Sequence, residues 1–278
     1  MQIIDCQVHC YERDRPERPW IGTLAGPKEV TGDDMVKAMD DVGVAGAILV
    51  SPYAMYRFDA SYALEVYKQH PKRFALVKPV DTTRPDVGEV VADWGKTEGT
   101  VGVRIMMALG ATVDPQGPGV KATLDAAGES GQPVNLLCWG AMDAAAGMAD
   151  RHPNTQLVID HLGLHQPFDP PAPDAPFADL PDVLKLAEKP NIAIKISGAC
   201  TLSKTGYPYD DIWDPVCSIV DAFGLDRCMW GTDWTRAVNL LTYEQGVRPF
   251  VETDRFSASD KEKLMGGTLA RIYGWTPG

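Results

Sequence analysis

The chain has 278 residues, of which 45% are hydrophobic and 23% are charged, a composition that is ordinary for a globular protein and excludes wholesale disorder. Its formal net charge of −12, without any run of Lys or Arg, argues against a nucleic-acid partner, because the phosphate backbone would be repelled. No apolar run approaches the roughly 20 residues of a membrane-spanning helix, so we expect no membrane insertion.

Strand and helix patterns alternate from one end of the chain to the other. In chain order the predicted elements are strand 3–9, helix 31–43, strand 44–50, helix 60–70, strand 74–80, helix 86–97, strand 101–107, helix 120–131, strand 133–139, helix 141–151, strand 156–161, helix 182–189, strand 191–197, helix 214–224, strand 228–231 and helix 259–273. This alternation predicts an α/β fold with a parallel sheet, and eight such units predict one (β/α)8 TIM barrel over residues 1–278. No internal repeat or linker indicates a second domain.

The first strand carries a polar row. Strict alternation places Asp5, Gln7 and His9 on one face and residues 4, 6 and 8, which are less polar, on the other. We expect the polar row to point into the barrel and the other face to lie under helices. Between the sixth strand and the helix after it, residues 163–181 contain six prolines, which predicts a semi-rigid lid.

Cysteine usage indicates a reducing compartment. The six cysteines contain no Cys-x-x-Cys pair, and no signal peptide precedes the first predicted strand. We therefore expect a cytoplasmic protein with free thiols.

Ionisable side chains end three of the predicted strands. His9 ends the first strand, His161 ends the sixth, and Asp233 follows the eighth. The carboxyl ends of barrel strands meet at the face that carries the active site, so we predict that these side chains converge there together with Arg104 of the fourth strand. Taken singly, each has a structural alternative, such as a core histidine bound to a carbonyl or an aspartate that caps a helix.

Lys195 lies in the seventh predicted strand and shares its face with Ala193 and Ser197. If this face is the barrel interior, the buried ammonium needs a carboxylate partner. Asp5 is our candidate for that partner.

Several motifs resemble one known family. They are Ile-Ile-Asp-Cys-Gln-Val-His at 3–9, Gly-Val-Arg at 102–104, Ile-Asp-His-Leu-Gly at 159–163, Lys-Ile-Ser-Gly at 195–198, Trp-Gly-Thr-Asp-Trp at 230–234 and Gly-Gly-Thr-Leu-Ala-Arg-Ile-Tyr-Gly-Trp at 266–275. These motifs span the chain in the same order as in the amidohydrolase-related (amidohydrolase 2) family of the amidohydrolase superfamily. The chain therefore resembles that family. The resemblance implies a distorted TIM barrel and an activity such as that of the family's lactonases, decarboxylases and other hydrolases.

The metal ligands of that family are incomplete in this chain. The family's first-strand signature is His-x-His, but Gln7 occupies the first position, and a neutral amide is a poor zinc ligand. On the fifth strand, where many metal-dependent members have another histidine, this chain has Cys138, and alternation alone does not decide whether Cys138 points inward. We predict that no metal is required, with a single zinc on His9, His161 and Asp233 as the alternative.

This departure favours the lactonase-like, metal-independent members of the family. We expect Asp233 to act as general base for a water that attacks the carbonyl of a small lactone or related ester. His9 and His161, with help from the Gln7 amide, are expected to donate hydrogen bonds to the developing oxyanion. The expected partner is a small anionic molecule, held through its carboxylate by Arg104 and Arg236 with Arg57 as a weaker candidate, between walls formed by Tyr53, Tyr56, Trp139 and Trp234.

Three other functions stay open from the residues and the resemblance. One is a zinc-dependent hydrolase or decarboxylase, and another is an isomerase of a sugar-acid lactone that uses the same base. The third is a barrel that binds a ligand without catalysis. Two copies could also pair through patches on the barrel helices, so a homodimer is one possible oligomeric state.

Overall fold

The computed structural model describes residues 1–24, 26–108 and 113–278. Its eight strands form one parallel sheet in which each strand pairs with the next along the chain. They are β1 (Ile3–Val8), β2 (Val44–Val50), β3 (Phe74–Pro79), β4 (Thr100–Met106), β5 (Val134–Leu137), β6 (Leu157–Ile159), β7 (Ile192–Ser197) and β8 (Cys228–Gly231). Residues just past β8 close the ring against β1, because the Asp233 amide donates to the Gln7 carbonyl at 2.9 Å and the His9 amide donates to the Trp234 carbonyl at 2.9 Å. The predicted TIM barrel is confirmed.

The helices of the described residues surround this barrel. They are α1 (Gly32–Val42), α2 (Tyr53–Tyr56), α3 (Ser61–Gln69), α4 (Val87–Gly95), α5 (Pro118–Glu129), α6 (Met142–Arg151), α7 (Leu180–Lys185), α8 (Trp213–Phe223), α9 (Tyr243–Glu252), α10 (Ala258–Glu262) and α11 (Thr268–Tyr273). None of these helices is both long enough and apolar enough to cross a membrane.

Two helices lie where none was predicted, and one predicted helix is interrupted. α2 lies in a segment without helical periodicity, whereas α9 has a signal that was missed, a capping box formed by Thr242 and Gln245. The predicted helix 259–273 is interrupted by a π-helical segment, Lys263–Gly267, between α10 and α11. A Cβ on Gly266 would lie 2.5 Å from the Gln2 carbonyl oxygen, so glycine lets the chain approach the start of β1 closely there.

A bulge in β1 changes which of its side chains face the barrel interior. Asp5 pairs with Ala47 and Val8 pairs with Leu49, so three steps along β1 correspond to two along β2. The extra residue shifts the alternation within the strand. The strict alternation assumed from the sequence is therefore wrong for β1.

The two faces of β1 follow from this bulge. Ile4 and Cys6 pack with inward-facing residues of the other strands, although the sequence predicted them under the helices. Gln7 points inward as expected and contacts Lys195 of β7. Asp5 instead points outward and contacts Tyr243 of α9.

The C-terminal segment closes the amino-terminal end of the barrel. Leu269 and Tyr273 of α11 pack in the same cluster as the inward-facing strand residues. The Tyr273 hydroxyl donates to Asn135 Oδ1 of β5 at 2.7 Å. This end is therefore filled with side chains, and the opposite end carries the predicted site.

Candidate active site

The residues predicted at the strand ends lie together at the carboxyl end of the barrel. His9 Nε2 is 3.3 Å from Asp233 Oδ1, and His161 Nδ1 is 3.6 Å from Asp233 Oδ2. His161 and Asp233 both have left-handed backbone conformations, with φ of 54° and 55°. Such conformations cost free energy in residues other than glycine and are typical of functional sites.

His161 is held in its neutral form. Arg104 Nη2 lies 3.1 Å from His161 Nε2, and because a guanidinium can only donate, Nε2 must accept. The ring proton is therefore on Nδ1, which is 2.9 Å from Ser197 Oγ. Burial lowers the pKa of His161 to about 4, against the opposing influence of the Asp233 and Asp160 carboxylates.

Asp160 joins two buried cations. Its Oδ2 accepts from Arg104 Nε at 2.7 Å, and its Oδ1 is 3.0 Å from Lys195 Nζ. Burial alone would raise the pKa of Asp160, but Arg104 and Lys195 hold it below its ordinary value. Lys195 also donates to Gln7 Oε1 at 2.7 Å. Sequence reasoning missed Asp160, although it precedes His161 directly and immediately follows β6.

The predicted pairing of Asp5 with Lys195 is wrong. The β1 bulge turns Asp5 outward, where its carboxylate accepts hydrogen bonds from Thr232 Oγ at 2.6 Å and from the Tyr243 hydroxyl at 3.1 Å. The amides of Thr232 and Gln7 add two more hydrogen bonds. Burial nevertheless raises the pKa of Asp5 to about 6.

Arg236 is bound to protein groups on three sides. Its Nε donates to Asp233 Oδ2, its Nη1 to the Pro167 carbonyl, and its Nη2 to Gln166 Oε1 at 2.8 Å. Burial would raise the pKa of Asp233, but His161, Arg236 and His9 together hold it well below the usual range. Arg236 therefore supports Asp233 and the lid, and it is less available as a carboxylate clamp than the sequence suggested.

A cleft of about 470 Å³ opens above these groups. It is lined by seven of the predicted residues, namely His9, Tyr53, Arg104, Trp139, His161, Asp233 and Arg236. Three predicted residues do not line it. Gln7 lies below with its amide oxygen on Lys195, Tyr56 bonds to the backbone of Glu12, and Trp234 packs on Tyr243 with ring centroids 5.4 Å apart.

The cleft also has lining residues that sequence reasoning missed, namely Leu24, Pro52, Ala54, Met106, Leu137, Gln166 and Phe168. Alternation could have indicated Met106, which lies two residues after Arg104 on the same face of β4. Gln166 and Phe168 belong to the Pro-rich segment that was expected to form a lid. Arg57, the weaker clamp candidate, lies against the Tyr53 ring at 4.8 Å.

The donor set does not fit a catalytic zinc, which takes three protein ligands. Within the described residues, no three His, Cys, Asp or Glu side chains are arranged to hold a metal ion. Both nitrogens of His161 contact protein partners, and Asp233 Oδ2 is bound by Arg236. Cys138 packs with the helix-side core, where burial raises the pKa of its thiol.

Known proteins share this architecture and sequence pattern. The family model described as Amidohydrolase matches residues 4–275. The chain is 27% identical to L-fucono-1,5-lactonase from Burkholderia multivorans, over 97% of this chain and 95% of that protein. It is 29% identical to 4-sulfomuconolactone hydrolase from Hydrogenophaga intermedia, over 75% of this chain and 66% of that protein. A crystal structure of an amidohydrolase from Burkholderia multivorans with bound zinc superposes with a TM-score of 0.82 at 24% identity, over 99% of both chains. Because the family model spans nearly the whole chain, this protein belongs to the amidohydrolase family.

Proposed function

We propose that the protein hydrolyses a lactone that carries an anionic group, with Asp233 as general base. Both relatives described above are named as lactone hydrolases, which supports this bond type. The observation that carries the assignment to Asp233 is its position, buried between His9 and His161 at the cleft floor.

The two oxygens of Asp233 have different environments. Oδ2 is bound by Arg236, whereas Oδ1 accepts no well-aligned hydrogen bond from the described residues. Oδ1 is thus the atom that can take a proton from water as the water oxygen attacks the lactone carbonyl carbon. When the ring C–O bond breaks, the same proton passes from Asp233 to the departing ring oxygen, and the product is the open hydroxy acid.

The two histidines have unequal roles in this proposal. His9 Nδ1 is 2.7 Å from the Val50 carbonyl oxygen, which orients Nε2 toward Asp233 and the cleft. Because a carbonyl oxygen only accepts, Nδ1 carries a ring proton. Nε2 also carries one only in the imidazolium form of His9, and in that form it would donate to the carbonyl oxygen of the substrate. His161 has no free N–H for this purpose, because its Nδ1 contacts Ser197 Oγ and its Nε2 accepts from Arg104, so it orients the neighbouring side chains instead.

The buried charges favour an anionic substrate. Arg104 and Lys195 share the single carboxylate of Asp160, and His161 is neutral, so this group of contacts carries one excess positive charge. Arg104 is the cation of that group that lines the cleft. A substrate carboxylate bound to Arg104 would compensate the excess charge.

Replacement of the base tests the proposal. Asp233→Asn should lower kcat on a hydrolysable lactone by about 10²- to 10⁴-fold, the usual contribution of a general base. Asp226→Asn, a change of an exposed aspartate, is the matched control, and circular dichroism checks that both variants fold. Near wild-type turnover by folded Asp233→Asn would contradict the proposal, as would a product without labelled oxygen after reaction in labelled water.

Metal removal tests the proposal independently. Because the donor set does not fit a zinc ligand set, we expect protein purified without added metal to keep its activity after dialysis against a chelator. Elemental analysis before and after dialysis supplies the metal content. Stoichiometric zinc together with loss of activity on chelation would favour the zinc-dependent alternative.

A further inference from the structure

Most of the cleft wall outside the ionisable groups is apolar. Met106 and Leu137, at the ends of β4 and β5, form a cluster with Tyr53 and Trp139. Leu24 belongs to a second apolar cluster, against which Phe168 of the lid packs. Both clusters contribute to the lining of the same cleft.

Among the described residues, the wall has few polar groups that could bind the hydroxyls of a substrate. Gln166 is the one side-chain amide among the described lining residues, and both of its ends are engaged, with Ser197 O and with Arg236 Nη2. Tyr53 and Trp139 contribute one polar atom each. A sugar lactone carries several hydroxyls, and each hydroxyl that is buried without a partner weakens binding.

From these walls we infer that the substrate ring is flat and unsaturated, with one anionic substituent on Arg104, rather than polyhydroxylated. This inference rests on the proposed function. A planar ring can lie against Trp139 and Phe168 without unpaired polar groups. If its ring oxygen is part of an enol ester, Asp233 takes a proton from the water that adds to the carbonyl carbon, and the ring C–O bond then breaks. The departing enolate oxygen takes that proton from Asp233, and the resulting enol becomes a ketone.

A panel of substrates tests the inference on the intact protein. The probes are carboxymethylenebutenolide, which is an unsaturated enol lactone with one carboxylate, its methyl ester, and gluconolactone. We expect kcat/KM for the carboxylate to exceed that for gluconolactone by at least about 100-fold and that for the methyl ester by about tenfold or more. Leu137→Asn should reduce the first ratio, whereas Ile21→Asn, on the exposed surface, should leave it unchanged.

The outcomes separate this inference from the proposed function. Preferred hydrolysis of gluconolactone would overturn the flat-ring inference and leave lactone hydrolysis intact. Equal rates for the carboxylate and its methyl ester would overturn the role of Arg104. Absence of hydrolysis of all three lactones by folded protein would overturn both.

A second, independent observation concerns Gln166 of the lid. Its side chain contacts Arg236, which binds Asp233, and Ser197, which contacts His161. Its Nε2 donates to the Ser197 carbonyl at 2.8 Å, and its Oε1 accepts from Arg236 Nη2 at 2.8 Å. Arg236 in turn donates to Asp233 Oδ2, and Ser197 Oγ lies 2.9 Å from His161 Nδ1. One buried amide therefore links the lid to the contacts of both residues.

We propose that Gln166 is a positioning residue that fixes the orientation of the Asp233 carboxylate through Arg236. The position requires a donor at one end and an acceptor at the other, which an amide supplies. Glutamate would have no donor for the Ser197 carbonyl, and methionine would have neither group. The backbone is adapted to this amide, because a Cβ on Gly198 would lie 2.1 Å from Gln166 Oε1.

Kinetics of Gln166→Met and Gln166→Glu test this proposal on the best lactone of the panel. We expect both variants to lower kcat about tenfold or more with KM changed less than about threefold, because Asp233 is misoriented while the cleft walls remain. Gln116→Met, which alters an exposed glutamine, is the control. A drop in Tm with unchanged kcat, or full kcat in Gln166→Met, would overturn the positioning role.

Discussion

His161 shows how contacts decide the charge of a residue that its sequence position marks as functional. Any histidine at the end of a barrel strand could be a base, an acid or a ligand. Here Arg104 donates to one ring nitrogen, and burial lowers the pKa to about 4. The residue is therefore neutral at neutral pH.

This pKa predicts how stability depends on pH. The unfolded chain protonates His161 near pH 6.5 and the folded chain near 4, so the unfolded state binds more protons between these values. Stability should therefore fall as pH falls through this window, with a contribution of about 3 kcal/mol from this residue. Urea unfolding at pH 7 and at pH 4 gives the free energy of unfolding at each pH. The decrease from pH 7 to pH 4 should be smaller for His161→Asn than for the wild type.

The comparison separates the contribution of His161 from that of Asp5. Asp5, whose pKa is raised to about 6, contributes with the opposite sign in the same window, because its folded form binds more protons there. That contribution is common to both proteins and cancels in the difference. Parallel pH curves for wild type and His161→Asn would contradict the prediction.

At the scale of elements, the segment after β7 depends on a glycine for two reasons. Gly198 has φ of 72°, and a Cβ there would lie 2.1 Å from Gln166 Oε1. Gly206 offers a matched comparison, because its φ is 73° and nothing lies within 4 Å of a Cβ there. A substitution at either glycine has the same backbone cost, because the two φ angles are nearly equal. Only at Gly198 would the added Cβ also collide with Gln166.

Alanine at the two positions should therefore have different effects. Gly206→Ala should cost about 1–2 kcal/mol, the left-handed penalty alone. Gly198→Ala should cost clearly more and should also lower kcat, because Gln166 must move away from Arg236. Thermal unfolding and steady-state kinetics measure the two effects, and equal losses of stability would contradict this account.

Element prediction succeeded where the signals are local. Apolar runs and helix caps lie within a few residues of one another, and most strands were located to within one or two residues. The β1 bulge was not predictable in this way, because it depends on pairing with β2, which lies about 40 residues further along the chain. Assuming strict alternation therefore misassigned the faces of Ile4, Cys6 and Asp5.

At the scale of the whole molecule, the last helix closes the end of the barrel opposite the site. Tyr273→Phe removes the hydroxyl that donates to Asn135 Oδ1, and Asn135 Nδ2 already has no partner among the described residues. The buried amide would then be unpaired at both ends, which should cost about 1–3 kcal/mol. Urea unfolding measures this loss, and Tyr207→Phe at an exposed tyrosine is the control. Unchanged stability would contradict a structural role for the Tyr273 hydroxyl.

The activity of Tyr273→Phe carries separate information. The hydroxyl lies at the amino-terminal end of the barrel, and the cleft lies at the carboxyl end. We therefore expect kcat to stay near that of the wild type at temperatures where the variant is folded.

The sequence by itself determined the barrel and the identity of the residues at its mouth. Alternating strand and helix patterns specify parallel βα units, and parallel units bring the residues at strand ends to one face. His9, His161, Asp233 and Arg104 could therefore be placed together without coordinates. The tertiary structure alone decided their partners, because Lys195 and Gln7 are 188 residues apart and Arg236 and Gln166 are 70 apart. Charge pairing and lid contacts depend on such distances in space, which local sequence patterns do not encode.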